Sequence, residues 1–178
     1  MPDRNRAIRI MAEVIRQAGG AITGTTALHD AFYFAHLYYA ESEPGYLSDW
    51  PIVKMPNGPA IHSGSRLIAE MKEAGILSTD HIQVGPFRAV RLRLCDGALP
   101  GEPLQEDAIR AIGRAIELVR HKSTAELHDL IREFSRSWHS ARQREEMCIY
   151  IDPIPDDEYE SGQARLAEMR AALEAAWK

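Results

Sequence analysis

Cysteine is scarce in this chain. Only Cys95 and Cys148 occur among the 178 residues, and they lie far apart in the sequence. Two isolated cysteines do not make a metal cluster, and a disulfide is uncommon in proteins of reducing compartments. We therefore expect two half-buried free thiols, because an unpaired cysteine behaves as a small hydrophobic side chain.

Long apolar runs are missing as well. No segment approaches the roughly 20 apolar residues that a transmembrane helix needs. Residues 1–6 lead into an amphipathic segment and lack the continuous apolar core of a signal peptide. The sequence therefore predicts a cytoplasmic protein with no membrane partner.

The motifs of the common enzyme classes are also absent. The chain has no glycine-rich phosphate loop, no nucleophile elbow and no dinucleotide fingerprint. Two His-Asp dipeptides, His29-Asp30 and His128-Asp129, are typical of metal-dependent HD-type phosphohydrolases. A bound metal needs further converging ligands, and no spacing in the sequence supplies them. We interpret the protein as a non-enzyme without metal or cofactor, with such a hydrolase as a distant alternative.

The charge is distributed unevenly along the chain. The composition, with 45% hydrophobic and 26% charged residues and a net charge of −5, is ordinary for a globular domain. Residues 51–94 carry six basic and three acidic side chains, whereas residues 145–178 carry nine acidic and three basic ones. An acidic total disfavours indiscriminate nucleic-acid binding, but a basic island still permits a local contact.

Apolar spacing predicts a compact α+β domain that is predominantly α-helical. The second predicted helix, residues 25–41, is apolar or aromatic on nearly every side, which predicts a central buried helix with His36 as a hydrogen-bonded core residue. Five other helices are predicted. The first is capped by Asp3 and ends at glycines 19 and 20, and the next two cover 63–74 and about 108–119. The capping box of Ser123 and Glu126 begins a fourth, and Trp138 closes a short fifth.

Alternating apolar residues predict a small antiparallel hairpin from about 76–84 and 87–95. Two shorter extended pieces are predicted at 50–55, before a rigid turn over 56–59, and at 147–151. A helix followed by a hairpin with arginines on its outer face is typical of a winged helix. The candidate nucleic-acid contacts are Arg66, Lys72, Arg88, Arg91 and Arg93. The competing interpretation is a solvated face, since charged side chains also protect strand edges.

Two motifs in this order resemble the Panacea domain. They are FYFAHLYY at residues 32–39 and WPIVKMPNGP at residues 50–59. This is the SocA-like antitoxin family found in phage-associated and other mobile elements and in two-gene toxin–antitoxin operons. Later segments around Leu127-His128, Trp138 and residues 147–150 are similar to the family's closing motifs, so the resemblance covers about residues 5–152. Asn57 stands where the family commonly has tyrosine.

The resemblance implies a single Panacea-like domain over 1–155 and a non-enzymatic cytoplasmic protein. Such a protein neutralises a cognate toxin encoded nearby by binding it, and one relative acts as a proteolytic adaptor that delivers its toxin to a protease. Residues 156–178 are predicted to form a C-terminal amphipathic helix with an acidic start.

The predicted partner surface consists of Tyr39, Trp50, Met55 and Asn57. Two prolines and a glycine keep the loop of the last two rigid, which lowers the entropy lost on binding. The competing interpretation is that this turn only packs against the second helix. A winged-helix transcriptional regulator that binds operator DNA is the alternative function.

Overall fold

The computed structural model describes residues 1–42 and 45–152, and the helix predicted over 156–178 lies outside them. The described residues form α1 (Arg4–Gln17), β1 (Ala21–Thr23), α2 (Thr25–Ser42), β2 (Ile52–Met55), β3 (Gly58–Ile61), α3 (Gly64–Glu73), β4 (Leu77–Val84), β5 (Phe87–Leu94), α4 (Glu106–His121), α5 (Thr124–Phe134), α6 (Arg136–Ser140) and a 3₁₀ turn (Ile149–Ile151). The predicted α+β, mainly helical fold is confirmed. Within these residues no helix is both long and apolar enough to cross a membrane.

The predicted caps start two of the helices. The Asp3 carboxylate accepts a hydrogen bond from the Arg6 N–H at 3.0 Å and begins α1. At α5 the Glu126 N–H donates to Ser123 Oγ, while the Glu126 carboxylate accepts from the Ser123 N–H at 2.7 Å. Each cap satisfies backbone N–H groups that have no partner inside the helix, so the sequence signal and the helix start coincide.

The strands form two antiparallel sheets rather than the single hairpin that the sequence predicts. The first has the order β1-β5-β4, and the second is the hairpin of β2 and β3, which lies between α2 and α3 in the chain. Strand β1 has only three residues between glycines with positive φ, so it is too short to show a period of two. Helices α1 to α3 with the three-stranded sheet form a winged-helix-like arrangement, in which β4 and β5 are the wing.

Helix α2 lies at the centre of the core, as its all-round apolar sequence predicts. Phe32, Tyr33 and Phe34 are consecutive and each is almost completely buried. Such a run is buried only when a helix is surrounded on all sides. Helices α1 and α4, the strand β3 and the 3₁₀ turn all pack against α2.

Two local predictions are wrong. Residues 147–151 do not form an extended run, because only Glu146 pairs with β2, through Val53, and the chain then enters the 3₁₀ turn. Both cysteines are exposed instead of half-buried. Cys95 directly follows β5, where its N–H donates to the Ile76 carbonyl at 2.8 Å; this backbone bond, rather than the thiol, holds the residue in place.

The last described residue closes the fold with its side chain. The Asp152 carboxylate accepts hydrogen bonds from the Tyr33 hydroxyl at 2.6 Å, from the Ser135 hydroxyl at 2.8 Å, and from both the N–H and the hydroxyl of Ser137 at 2.7 and 2.6 Å. Burial and the nearby carboxylate together raise the pKa of Tyr33. These bonds fasten the end of the described chain to α2 and α6.

Candidate functional site

A ridge formed by Trp50 and Pro51 lies at the open end of the β2–β3 hairpin. The Trp50 indole N–H donates to the His62 carbonyl at 2.9 Å. The His62 N–H in turn donates to the Pro51 carbonyl at 2.9 Å. These two bonds join the segments before β2 and after β3, so the ridge has a fixed orientation while part of the indole stays accessible.

A cleft lies on each side of this ridge. The first cleft, of about 500 Å³, lies between the ridge, the N-terminal residues and α3, and its lining includes Met1, Arg4, Trp50, His62, Arg66, Leu67 and Glu70. The second cleft, of about 250 Å³, lies between the ridge and the 3₁₀ turn, and its lining includes Tyr46, Trp50, Ile52, Met147, Ile149 and Tyr150. A partner that covers the ridge therefore meets an apolar depression on both sides.

The first cleft has a basic rim. Arg4 and Arg66 both pair with the Glu70 carboxylate, at 3.2 and 3.1 Å. The Arg66 side chain is 80% exposed and the Arg4 side chain 55%. Pairs this exposed contribute about 0–1 kcal/mol, so neither guanidinium is strongly held. Two arginines that share one carboxylate leave this rim with a net positive charge, which suits an acidic group on a partner.

The second cleft has an exposed aromatic pair. The rings of Tyr46 and Tyr150 meet edge to face with centroids 4.2 Å apart. Tyr46 is 64% exposed, which is high for a large aromatic side chain. The Tyr150 hydroxyl donates to the Ser48 carbonyl at 3.3 Å, and partial burial raises the pKa of Tyr150. Sequence reasoning missed both tyrosines, because they are distant in the chain and neither lies in a periodic segment.

His36 links the buried helix to the loop of this site. Its Nδ1 lies 2.7 Å from the Phe32 carbonyl, and its Nε2 lies 2.8 Å from the Ser48 hydroxyl. The prediction of a hydrogen-bonded core histidine is confirmed. Burial lowers the pKa of His36 to about 4, so the imidazole is neutral near pH 7 and holds Ser48 as an uncharged partner.

The structure separates the four residues of the predicted partner surface. Trp50 lies at the open end of the β2–β3 hairpin, while Met55 and Asn57 lie at its turn, with Met55 half-buried and Asn57 exposed. Tyr39 is partly buried near the C-terminal end of α2. Gly58 lies against His128, which faces Asp30 nine residues before Tyr39, so Tyr39 is about 13 Å further along the helix axis. Tyr39 is therefore not beneath the turn, and of the four only Trp50 lines the clefts.

The candidate nucleic-acid contacts lie on two different faces. Register places Arg88 opposite Gln83, on the side of the wing that also carries the buried Leu92. Arg91 and Arg93 lie on the other side, because alternate strand residues point to opposite faces. Arg66 and Lys72 are exposed on α3, which packs against β4. Arg88 therefore shares a side with α3, whereas Arg91 and Arg93 lie on the outer face of the wing.

At the base of the outer face of the wing, Arg91 and Arg93 share the one carboxylate of Asp80, which offsets one of their two positive charges. Arg91 Nε lies 3.0 Å from the Asp80 carboxylate, and an Arg93 guanidinium nitrogen lies 3.7 Å from it. The hydrogen bond from Arg91 lowers the pKa of the Asp80 carboxyl. At the tip of the same face Val84 and Phe87 are exposed. This face thus combines paired charge with apolar side chains.

The two His-Asp dipeptides come together, but not as a metal centre. Asp30 of the first lies 3.4 Å from His128 of the second. His29 faces elsewhere, since its Nδ1 accepts a hydrogen bond from the Ile61 N–H at 3.2 Å. Burial lowers the pKa of His29 to about 4. Among the described residues no three histidine, cysteine or acidic side chains converge in a way that suits a metal ion.

A scan against protein-family models, a search of curated proteins and a search of solved structures each found no match for this chain. The resemblance to the Panacea domain therefore stays an expectation that rests on the residues quoted for it.

Proposed function

We propose that this chain is a cytoplasmic, non-enzymatic, antitoxin-like module that neutralises a toxin encoded nearby by binding it directly. The observation that carries the proposal is the Trp50–Pro51 ridge between two mainly apolar clefts. Hydrogen bonds fix the ridge at both neighbouring segments, so little entropy is lost when a partner covers it. The toxin, as partner, would present an apolar group to a cleft and an acidic group to Arg4 and Arg66.

Trp50→Ala is expected to abolish neutralisation when the neighbouring gene product is co-expressed as the toxin. Removing a rigid aromatic anchor from an interface costs about 2 kcal/mol or more, which corresponds to at least a roughly thirtyfold weaker complex. Growth rescue and titration calorimetry with the purified gene product measure this. Phe87→Ala is the matched control, because Phe87 is an exposed aromatic residue outside both clefts. Equal loss of rescue in the two variants, both folded by circular dichroism, would reject the ridge as the binding surface.

A winged-helix regulator is the second candidate function, and the β1-β5-β4 sheet behind three helices favours it. The basic side chains that could contact DNA phosphates from one side of the molecule are Lys72 on α3 and Arg88 on the same side of the wing. Such a regulator would bind operator DNA through its phosphates, with a strong dependence on salt. A toxin-binding protein that also controls its own operon would combine the two candidates.

Lys72→Gln with Arg88→Gln is expected to weaken binding to the DNA upstream of the gene if the regulator function holds. The slope of log affinity against log salt concentration is negative, and losing two phosphate contacts makes it shallower by about 2. Fluorescence anisotropy with a labelled duplex over a salt series measures it. Arg91→Gln with Arg93→Gln is the control, because it removes the same charge from the other face of the wing, where Asp80 already pairs with both arginines. If the wild type does not bind the duplex even at low salt, or if both pairs of substitutions act alike, this second candidate fails.

A further inference from the structure

Two ionisable side chains from separate helices meet beneath the β2–β3 turn. Asp30 of α2 is completely buried, and His128 of α5 is 8% exposed. Nε2 of His128 lies 3.4 Å from Oδ1 of Asp30. Within the part of the chain that the structure describes, neither carboxylate oxygen of Asp30 nor Nε2 of His128 makes a hydrogen bond. Buried polar groups without such partners are rare in folded proteins and need an explanation.

Burial makes the uncharged forms of both groups the stable ones. Desolvation raises the pKa of the Asp30 carboxyl to about 7. Desolvation also lowers the pKa of His128, with Arg132 acting in the same direction and Asp129 against it. Below about pH 7 the Asp30 carboxyl is therefore protonated, and burial favours the neutral form of the imidazole beside it. Above it, a carboxylate remains in the core with no donor in contact, which is costly.

The β2–β3 turn closes directly over this pair. Gly58, with φ of +115°, ends the turn of Pro56 and Asn57. A Cβ at Gly58 would lie 2.5 Å from Nε2 of His128, so the glycine backbone contacts the imidazole with no room between them. A movement of the His128 ring towards the turn, or the entry of a water molecule between the ring and Gly58, therefore displaces this turn.

The other charged groups around the pair are engaged elsewhere. On α2, His29 accepts from the Ile61 N–H. On β2, the Lys54 ammonium donates to the carbonyls of Trp138 and Ala141. On α4, Arg114 pairs with Glu41 at 2.6 Å, towards the other end of α2. On α5, the Asp129 carboxylate and the Arg132 guanidinium lie 3.4 Å apart, and both side chains are at least half exposed.

We propose that Asp30 and His128 are a proton-dependent latch: the proton held by the Asp30 carboxyl keeps the β2–β3 turn closed against His128, and its loss admits water and releases the turn. The turn carries Met55 and Asn57, so release would change the surface that these two residues present. The latch is a property of the fold and does not depend on which partner the protein binds.

Hydrogen exchange of the β2–β3 hairpin tests the latch. After correction for intrinsic exchange rates, opening of residues 52–61 is expected to increase about tenfold between about pH 6 and about pH 8, because one proton is lost from a group whose pKa is near 4 when hydrated. Asp30→Asn is expected to abolish this increase, since the amide cannot ionise. Asp129→Asn is the matched control and should retain it, because Asp129 is exposed and lies beside the same histidine.

Carbon-13 NMR of the wild-type carboxyl groups tests the same proposal if Asp30→Asn does not fold. The Asp30 signal is expected to titrate at about pH 7, together with a shift of the Gly58 amide. A hairpin whose opening still increases with pH in Asp30→Asn would overturn the latch. A carboxyl that titrates near pH 4, with no change in the Gly58 amide, would overturn it as well.

Discussion

Gly97→Ala is expected to lower the free energy of unfolding by about 3 kcal/mol, at the upper end of the range for overpacked sites. A Cβ at this position would lie 2.4 Å from both the carbonyl carbon and the oxygen of Gly75. These are backbone atoms that connect α3 to β4, and two further hydrogen bonds hold them there: the Gly97 N–H donates to the Gly75 carbonyl at 3.1 Å, and the Cys95 N–H donates to the Ile76 carbonyl at 2.8 Å. Neither the backbone segment at Gly75 nor the one at Gly97 can move aside without breaking these hydrogen bonds.

Chemical denaturation followed by circular dichroism measures this loss, and Gly85→Ala is its control. Gly85 has φ of +57° at the tip of the wing, and no atom lies within 4 Å of the position a Cβ would take. Alanine there costs only the strain of the left-handed conformation, about 1 kcal/mol. If the two variants lose the same stability, the close backbone approach at Gly97 does not limit the fold.

Acid is expected to destabilise the protein between about pH 6.5 and pH 4, with a loss of about 3 kcal/mol for each of two histidines. Burial lowers the pKa of His29 and of His36 from 6.5 to about 4. Within this window the unfolded chain binds protons that the folded chain does not, so stability rises with pH. The contribution is complete above pH 6.5 and is lost as the pH falls through 4.

The carboxyl of Asp30 acts in the opposite direction. Its pKa is raised from 3.8 to about 7, so the folded chain binds a proton that the unfolded chain has released. This contribution to stability is complete at pH values below about 4 and is lost as the pH rises through 7. Below pH 6.5 the combined effect of His29 and His36 on stability is larger than that of Asp30. Above pH 6.5 only the effect of Asp30 remains. We therefore expect the stability of the protein to be greatest near about pH 6.5.

Urea denaturation across the pH range measures both effects. His36→Gln keeps a polar group beside Ser48 but does not titrate, so the acid-side slope is expected to fall by about one proton. His81→Gln makes the same substitution at an exposed position on the wing and is the control for the chemical change itself. An unchanged slope in His36→Gln would show that this histidine is accessible to protons in the folded state.

Within the described residues, local signals in the sequence were sufficient for the helices and for the β4–β5 hairpin. Asp3 and Ser123 mark helix starts because a cap needs only neighbouring residues. Strands β1 and β3 were missed because three or four residues next to glycine and proline give no period of two. The sequence alone could have predicted the side of the wing on which Arg88 lies, since an odd spacing from Arg91 along one strand places the two residues on opposite faces.

The candidate site depends on contacts between distant segments, which a single sequence does not contain. The sequence marks Trp50 as an aromatic residue next to a proline, but its separation from Asn57 follows from the length of β2 and the closure of the hairpin. The edge-to-face contact of Tyr46 with Tyr150 joins segments that are far apart in the sequence. The two His-Asp dipeptides are the basis of the distant alternative of a metal-dependent hydrolase, and the fold places the aspartate of one dipeptide against the histidine of the other.

The hydrogen bonds to Asp152 also determine how the protein responds to force. One carboxylate accepts from Tyr33, Ser135 and Ser137, so a pull on the chain beyond residue 152 loads all of these bonds at once. Bonds loaded in parallel rupture together, unlike those of a frayed helix end, which open one after another. Because forced unfolding is governed by the unfolding rate, we expect loss of this carboxylate to speed the unfolding of α2 and α6 by a protease that pulls on the chain from its C-terminal side.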